Sequence, residues 1–232
     1  MTPEQRDSAR KRLAGLHVLA DDDPRWKHDP VEQARAACAG GAAVVQLRAK
    51  GAIDREALAW CRAIRPITRD AGTLFIVNDR FDLALAAEAD GVHLGQDDLP
   101  PGRIPPETRE LLLIGRSTHD PAQAQRACQE PIDYLAFGPV FGTTSKQSEY
   151  DARGLAALGE IAALAGSLPL AGSLPLAGSL PLVAIGGIGL DRVTEVIRAG
   201  AAGAAVISAV AAAEDPVAAT RALAMAIGEA SR

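Results

Sequence analysis

Short apolar runs alternate with longer alanine-rich segments along this 232-residue chain. Several of the runs are hydrophobic throughout, which is typical of strands that are covered on both faces. The pattern predicts eight strands, at residues 16–20, 43–48, 73–78, 90–94, 111–116, 132–138, 182–187 and 203–208.

Helical patterns, with apolar residues at i, i+3 and i+4, fill the intervals between the strands. They are clearest near residues 30–40, 54–70, 80–88, 120–129, 151–164, 190–199 and 212–229. Asp54, Asp120 and Asp191 stand where helix N-caps are expected. The proline-rich segment DDLPPGRIPPETRE after the fourth strand predicts only a short helix.

This alternation predicts an α/β fold, a single (β/α)8 TIM barrel that takes residues 1–232 as one domain. A doubly wound open sheet is the structural alternative. Such a sheet usually has fewer strands and a glycine-rich loop after the first strand, where this chain has HVLADDDP. In a barrel, the residues that carry chemistry lie at the C-terminal ends of the strands.

The hexapeptide AGSLPL occurs three times in succession, from Ala165 to Leu182. It connects a predicted helix to the seventh predicted strand, so it lies on the barrel face opposite the expected site. About two copies are surplus if one supplies the normal connection. Because lengthening a loop costs little free energy, we interpret the repeat as a tolerated duplication.

Composition narrows the function classes. The formal net charge of -5 provides no basic field for nucleic acid or an acidic membrane. The N-terminus has no apolar stretch long enough for a signal peptide, and prolines interrupt the repeat as a membrane span. The cysteines are odd in number and widely spaced, which argues against a disulfide framework or a structural zinc site: Cys38, Cys61 and Cys128. We expect a cytoplasmic protein; whether it forms a homo-oligomer is left open.

Polar and glycine residues gather where the predicted strands end. The segments are QLRAK, VNDR, HLGQDD, GRSTHD, FGPVFGTTSK, IGGIG and VIS. One such segment alone is commonly a helix cap. Seven on one rim are hard to explain as caps, and they predict a binding site.

Two acidic residues on this rim are candidate metal ligands. Asp79 and Asp98 follow consecutive strands, so their carboxylates are expected to converge on one side of the barrel mouth. Two carboxylates favour a hard cation such as Mg²⁺, which completes its shell with waters and substrate phosphates. Alternatively, Asp79 and Asp82 cap the third helix, and Asp97 and Asp98 are a solvated loop pair.

Basic and hydroxyl side chains on the same rim favour an anionic ligand. Arg48, Lys50 and Lys146 would bring positive charge, although an exposed lysine is solvated by default. A glycine-flanked loop adds hydroxyl donors beside Lys146, a composition also typical of a flexible loop: Thr143, Thr144 and Ser145. Strands seven and eight end in residues that are placed to seat a phosphate on backbone N–H groups: Gly186, Gly187, Ile207 and Ser208.

No nucleophile–base pair has convincing spacing. His93 and His119 lie near the mouth without an obvious serine or cysteine partner, and His93 is more typical of a hydrogen-bonded structural histidine. A departing pyrophosphate held by a magnesium ion needs electrostatics and positioning rather than a covalent nucleophile. The sequence therefore predicts a barrel that binds a polyphosphate with a divalent metal.

The motifs QLRAK, VNDRFDLALAAEADGVHLGQDDL, GRSTHD, DYLAFGPVFGTTSK, VAIGGI and VIS resemble the thiamine-phosphate synthase family, in order and at suitable spacings. The resemblance extends from about Leu16 to the last helix. It implies that a hydroxymethylpyrimidine diphosphate loses pyrophosphate and that the ring nitrogen of a thiazole phosphate bonds to its methylene carbon. The implied route is dissociative and assisted by Mg²⁺.

The resemblance also implies roles for residues. Asp79 and Asp98 would be the metal ligands, and Gln46 would hydrogen-bond the aminopyrimidine. The residues that would contact the diphosphate, and so take part in the catalytic step, are Arg48, Lys50, Asn78, Ser117 and Lys146. The thiazole phosphate would be held by Thr143, Ser145, Gly187, Ile207 and Ser208. Nothing is assigned to the first strand, because HVLADDDP matches the family pattern weakly.

Two other functions remain open on the same barrel. One is a thiazole tautomerase or regulatory paralogue, which should lack much of the diphosphate and metal set. The other is a non-catalytic sensor of a phosphorylated ligand. Both would bind small molecules.

Overall fold

The computed structural model describes residues 1–142, 150–167 and 180–232. Its strands form one closed parallel barrel, in which each strand pairs with the next and β8 pairs with β1. This confirms the TIM-barrel prediction and excludes the open sheet. The strands are β1 Gly15–Asp21, β2 Val44–Arg48, β3 Leu74–Asn78, β4 Gly91–Leu94, β5 Leu113–Thr118, β6 Tyr134–Phe137, β7 Leu182–Ile185 and β8 Gly203–Val206. That residues 1–232 form one domain stays a prediction.

Helices surround this barrel, and most lie where the periodicity places them. They are α1 Pro3–Lys11, α2 Pro30–Gly40, α3 Asp54–Ala71, α4 Phe81–Ala86, α5 Pro106–Leu111, α6 Pro121–Ala127, α7 Gly154–Ser167, α8 Val193–Arg198, α9 Ser208–Ala211 and α10 Pro216–Ala230. A short 3-10 helix, Pro101–Arg103, precedes α5, so the proline-rich segment holds two short helices rather than one. No helix in the described part of the chain is long and apolar enough to cross a membrane.

Several boundaries differ from the sequence predictions. The fifth strand begins at Leu113 rather than Leu111, because the helix that starts at Pro106 continues to Leu111. The eighth ends at Val206, and residues 207–208 turn into the short helix α9, which the periodicity did not predict. The N-terminal helix α1 was also missed, because its charged residues leave few apolar positions to detect.

Only one of the three predicted aspartate caps is correct. The Asp120 carboxylate accepts the Gln123 N–H at 2.7 Å and caps α6. Asp54 is the first residue of α3 rather than its cap. Asp191 is also wrong as a cap, because α8 starts two residues later, at Val193.

The strands bury both faces, which explains their continuous hydrophobic runs. Alternate residues such as Leu74 and Ile76 fill the barrel interior, while Phe75 and Val77 pack against the surrounding helices. At the N-terminal end, Leu13 after α1 joins the interior cluster and closes the barrel floor. The C-terminal end stays open, and the polar residues gather there.

Candidate active site

A cavity of about 390 Å³ opens at the C-terminal ends of the strands. It brings together every predicted site residue within the described part of the chain. These lining residues are Gln46, Arg48, Lys50, Asn78, Asp79, Asp98, Ser117, Gly187, Ile207 and Ser208. They come from β2, β3, β5 and the segments after β2, β3, β4, β7 and β8, so only the folded barrel assembles them.

Asp79 has a strained backbone at the rim. Its φ of 65° lies in the left-handed region, which is uncommon for a residue other than glycine and often marks a functional site. Its N–H donates to the His93 carbonyl at 2.7 Å, which ties β3 to β4 at this point. Its carboxylate contacts Lys50, with 2.5 Å between Oδ2 and Nζ.

Asp98 lies beside Asp79. Its Oδ2 accepts the Gly95 N–H at 2.6 Å, which holds the side chain in the loop after β4. Burial, and then the hydrogen bond with the Asp79 carboxyl, raise the pKa of Asp98. A bound cation would stabilise two neighbouring carboxylates, so this pair fits a divalent ion.

The alternative readings of these acids do not match the structure. Arg80 is the residue that precedes α4, and no side chain caps that helix; Asp82 instead pairs with Arg80 at 2.7 Å. Asp97 and Asp98 both line the cavity, Asp97 as an exposed residue and Asp98 as a half-buried one. Among the described residues, no three His, Cys, Asp or Glu side chains cluster as a metal site, which leaves a pair of carboxylates.

Arg48 is held in place by an acid that the sequence reasoning did not single out. Asp21 ends β1 directly opposite Arg48 at the end of β2, and Asp21 Oδ2 lies 2.5 Å from Arg48 Nη1. The Trp26 indole N–H donates to the other oxygen of Asp21 at 2.8 Å. The sequence carries a signal for this pair, because an acidic and a basic residue end two neighbouring strands. It went unused because HVLADDDP matches the family pattern weakly.

Ser117 ends a buried chain of hydrogen bonds. His93 Nε2 lies 2.8 Å from Ser117 Oγ, and His93 Nδ1 lies 2.9 Å from the Tyr134 hydroxyl. Burial raises the pKa of Tyr134, so the phenol stays protonated. These contacts hold the His93 ring between Tyr134 and Ser117. The expectation of a hydrogen-bonded structural histidine is confirmed.

His119 and Tyr150 form another part of the cavity wall that sequence reasoning did not assign. Their rings stack with centroids 3.9 Å apart. His119 Nδ1 is 2.5 Å from the Gly138 carbonyl oxygen, which fixes the plane of the ring. The pair provides a flat, partly apolar surface.

Two glycines after β7 allow close backbone packing on the opposite side. Gly186 and Gly187 have φ values of 104° and 63°. A Cβ at Gly187 would lie 2.3 Å from the Gly142 carbonyl oxygen, so no other residue fits without movement. The Phe141 N–H donates to the Gly186 carbonyl at 3.0 Å, which places the start of the next loop beside this corner. The predicted residues of that loop lie outside the described residues: Thr143, Thr144, Ser145 and Lys146.

Comparisons with known proteins identify the family. The family model for thiamine monophosphate synthase matches residues 16–210. The chain is 48% identical over 208 residues to the thiamine-phosphate synthase of Methanoculleus marisnigri, with 90% of this chain and 92% of that protein covered. It is 46% identical over 214 residues to that of Anaeromyxobacter dehalogenans, covering 90% and 86%. The chain belongs to the thiamine monophosphate synthase family.

A solved structure agrees. The thiamine phosphate pyrophosphorylase of Pyrococcus furiosus matches with a TM-score of 0.80 and 38% identity, over 95% of this chain and 98% of that one. Membership of the thiamine monophosphate synthase family makes the chain a transferase that acts on small molecules. This confirms the resemblance drawn from the motifs.

Proposed function

We propose that this chain joins 4-amino-5-hydroxymethyl-2-methylpyrimidine diphosphate to 4-methyl-5-(2-phosphoethyl)thiazole and releases thiamine phosphate and pyrophosphate. The observation that carries the proposal is the cavity itself. It is lined by an acid pair, two cations and a serine at one end of a closed barrel. That set suits a diphosphate leaving group, and the two relatives compared above are named thiamine-phosphate synthase.

The cations and donors would act on the diphosphate. Arg48 presents a planar fork that suits phosphate oxygens, and Lys50 adds a point charge beside the acid pair. Asn78 and Ser117 also line the cavity and would supply neutral donors. Lys146, from the loop outside the described residues, is proposed to join them. Together they would stabilise the negative charge that develops as the carbon–oxygen bond breaks.

Asp79 and Asp98 are the residues that would hold Mg²⁺. A bound magnesium ion neutralises charge on a departing pyrophosphate without proton transfer. Both carboxyls line the same cavity, and burial and the neighbouring Asp79 carboxyl raise the pKa of Asp98, which suits a pair that binds a cation.

The pyrimidine and the thiazole would occupy the rest of the cavity. Gln46 is buried on β2 and would hydrogen-bond the aminopyrimidine. We propose that the ring loses pyrophosphate first, leaving a methylene cation that the thiazole nitrogen then attacks. No described side chain is needed as a covalent nucleophile in this route. The thiazole phosphate would be bound by Thr143, Ser145, Gly187, Ile207 and Ser208.

One assay separates this proposal from its alternatives. The purified chain is mixed with both substrates and Mg²⁺, and thiamine phosphate and pyrophosphate are measured. Both products in equal amounts are expected. Binding of both ligands without product would favour a sensor, and conversion of the thiazole alone would favour a tautomerase or regulatory paralogue. The cytoplasmic location stays a prediction, and the oligomeric state is left open.

A further inference from the structure

The acidic residue after Asp21 contacts the loop that carries Lys50. The Asp22 N–H donates to the Arg48 carbonyl at 3.2 Å, which extends the pairing of β1 and β2 by one residue. Its side chain then turns towards residues 50–52, the segment between β2 and α3. Oδ1 accepts the Lys50 N–H at 3.0 Å. Oδ2 accepts the N–H groups of Gly51 and Ala52 at 2.8 and 2.9 Å.

We propose that Asp22 is a positioning residue, which holds the Lys50 backbone so that the Lys50 ammonium reaches the acid pair and the diphosphate. Three successive N–H groups on one carboxylate fix the direction of the loop, since charge-assisted hydrogen bonds are stronger than neutral ones. This inference rests on the proposed function, because it assigns the diphosphate to Lys50.

Lys50 needs such support. Its side chain is 50% exposed, yet its Nζ lies 2.5 Å from the Asp79 carboxylate. A free lysine of this exposure samples many rotamers, and ordering it costs side-chain entropy. Anchoring the Lys50 backbone restricts the loop beforehand, so less conformational entropy is lost when the side chain is ordered. Asp22 itself does not line the cavity, so it would act through Lys50 rather than on a substrate.

Asp23 provides a matched control. It is the next acid along the same loop, and its carboxylate accepts from the backbone N–H and the side chain of Arg25 at 3.0 and 2.6 Å. Within the described part of the chain, its side chain makes no hydrogen bond or ion pair with residues 49–52. Changing Asp23 therefore removes an equal charge from the loop without releasing Lys50.

The test is a double-mutant cycle. Asp22→Ala should lower kcat/KM for the pyrimidine diphosphate by between about tenfold and a hundredfold, the scale of a misplaced binding group. The KM for the thiazole phosphate should stay near that of the wild type. Asp23→Asn should leave both unchanged. In a Lys50→Ala background, Asp22→Ala should have less than about a twofold further effect, because the two residues act as one unit.

Binding of inorganic pyrophosphate with Mg²⁺, measured by calorimetry, provides a second readout that does not depend on turnover. Asp22→Ala should weaken it, and Asp23→Asn should not. An equal loss of kcat/KM in the wild-type and Lys50→Ala backgrounds would overturn the proposal, as would wild-type kinetics in Asp22→Ala. If Asp22→Ala does not fold, Asp22→Asn, which keeps one acceptor oxygen, takes its place in the same cycle. An inactive wild-type enzyme would instead contradict the proposed function.

Discussion

At the scale of single residues, the backbone of Asp79 decides which substitution tests the metal site. Asparagine tolerates the left-handed conformation well, so Asp79→Asn removes the charge and keeps the φ of 65°. We expect kcat/KM to fall about a hundredfold or more, about 3 kcal/mol of transition-state stabilisation. Steady-state kinetics across a magnesium titration measure it. Wild-type rates at limiting magnesium would contradict the assignment.

Asp98 allows the same test with a matched control. Asp98→Asn should lower kcat/KM by a similar factor of about a hundredfold, because it removes the second carboxylate of the pair. Asp82 is exposed, pairs with Arg80 and does not line the cavity, so Asp82→Asn changes the net charge equally and should leave kcat/KM unchanged. Equal losses in both variants would show that the net charge matters rather than the pair.

A buried histidine inside the barrel predicts how stability depends on pH. Burial lowers the pKa of His17 to about 4 from 6.5, while a hydrogen bond to the Leu13 carbonyl at 2.7 Å opposes this. Below pH 6.5, His17 binds a proton in the unfolded chain but stays neutral in the folded chain. Stability is therefore complete above that pH and is lost as the pH falls towards 4.

The loss should reach roughly 2–3 kcal/mol between about pH 7.5 and 4.5. Urea unfolding of the wild type and of His17→Gln across this range measures it. The variant removes the titrating group, so its free energy of unfolding should fall less over the same interval. Parallel curves for the two proteins would show that His17 does not contribute.

At the scale of elements, the structure describes the two ends of the repeat, residues 165–167 and 180–182. The first copy starts in α7, where Ala165 is buried, and the last ends as β7 begins at Leu182. The Leu180 N–H donates to the Ala165 carbonyl at 3.3 Å. The intervening residues 168–179 lie outside the described residues. Both ends of the connection are thus adjacent, on the side of β7 away from Gly187 and the cavity.

Deletion of residues 165–176 should leave turnover nearly intact. Ala177 then takes the place of Ala165, and the same N–H would bond to a carbonyl three residues earlier, which an ordinary turn allows. The change in the free energy of unfolding should stay below about 1 kcal/mol, because shortening a loop alters its closure entropy only slightly. Assays and urea unfolding measure both. A large fall in kcat with unfolding unchanged would show that the repeat contributes to the reaction.

A helix or strand could be predicted from the sequence where a local pattern of apolar residues is enough to determine it. The strand at residues 74–78 was found within one residue, because its run of apolar side chains is buried on both faces. Helix α1 was missed because it has few apolar positions, and the contacts that stabilise it are long-range: Arg6 and Arg10 pair with Asp133, more than 120 residues away.

In the site, too, positions set by a local pattern could be predicted, whereas contacts that depend on how strands align could not. Asp79 and Asp98 follow strands that are adjacent in sequence and in space, so their convergence could be expected. The partners of Arg48 and Lys50 depend on how β1 and β2 align. Asp21 and Asp22 become informative only once Asp21 stands opposite Arg48 in the barrel.

At the scale of the whole molecule, we expect the N-terminal end of the barrel to contribute to stability and the C-terminal end to the reaction. At the N-terminal end, the buried Asp133 carboxylate accepts from Arg6 and Arg10 at 2.5 and 2.8 Å and from the Ile114 N–H at 2.8 Å. These contacts attach α1 to the barrel floor. None of these residues lines the cavity at the other end, so this network should contribute to stability and not to turnover.

Asp133→Asn tests that separation, because it leaves two arginines beside a neutral side chain. Loss of one partner of a buried ion pair should lower the free energy of unfolding by about 3 kcal/mol. In a chain of this size the Tm should fall by roughly 6–12 °C. Thermal unfolding measures the Tm, and kcat/KM at 25 °C should remain near the wild-type value because the substrate contacts are unchanged. Asp7→Asn is the control: its exposed carboxylate lies 3.4 Å from Arg10, so its loss should barely change the Tm. A fall in kcat/KM for Asp133→Asn while the protein remains folded would mean that the floor of the barrel transmits strain to its mouth, and the two ends could not then be treated as independent.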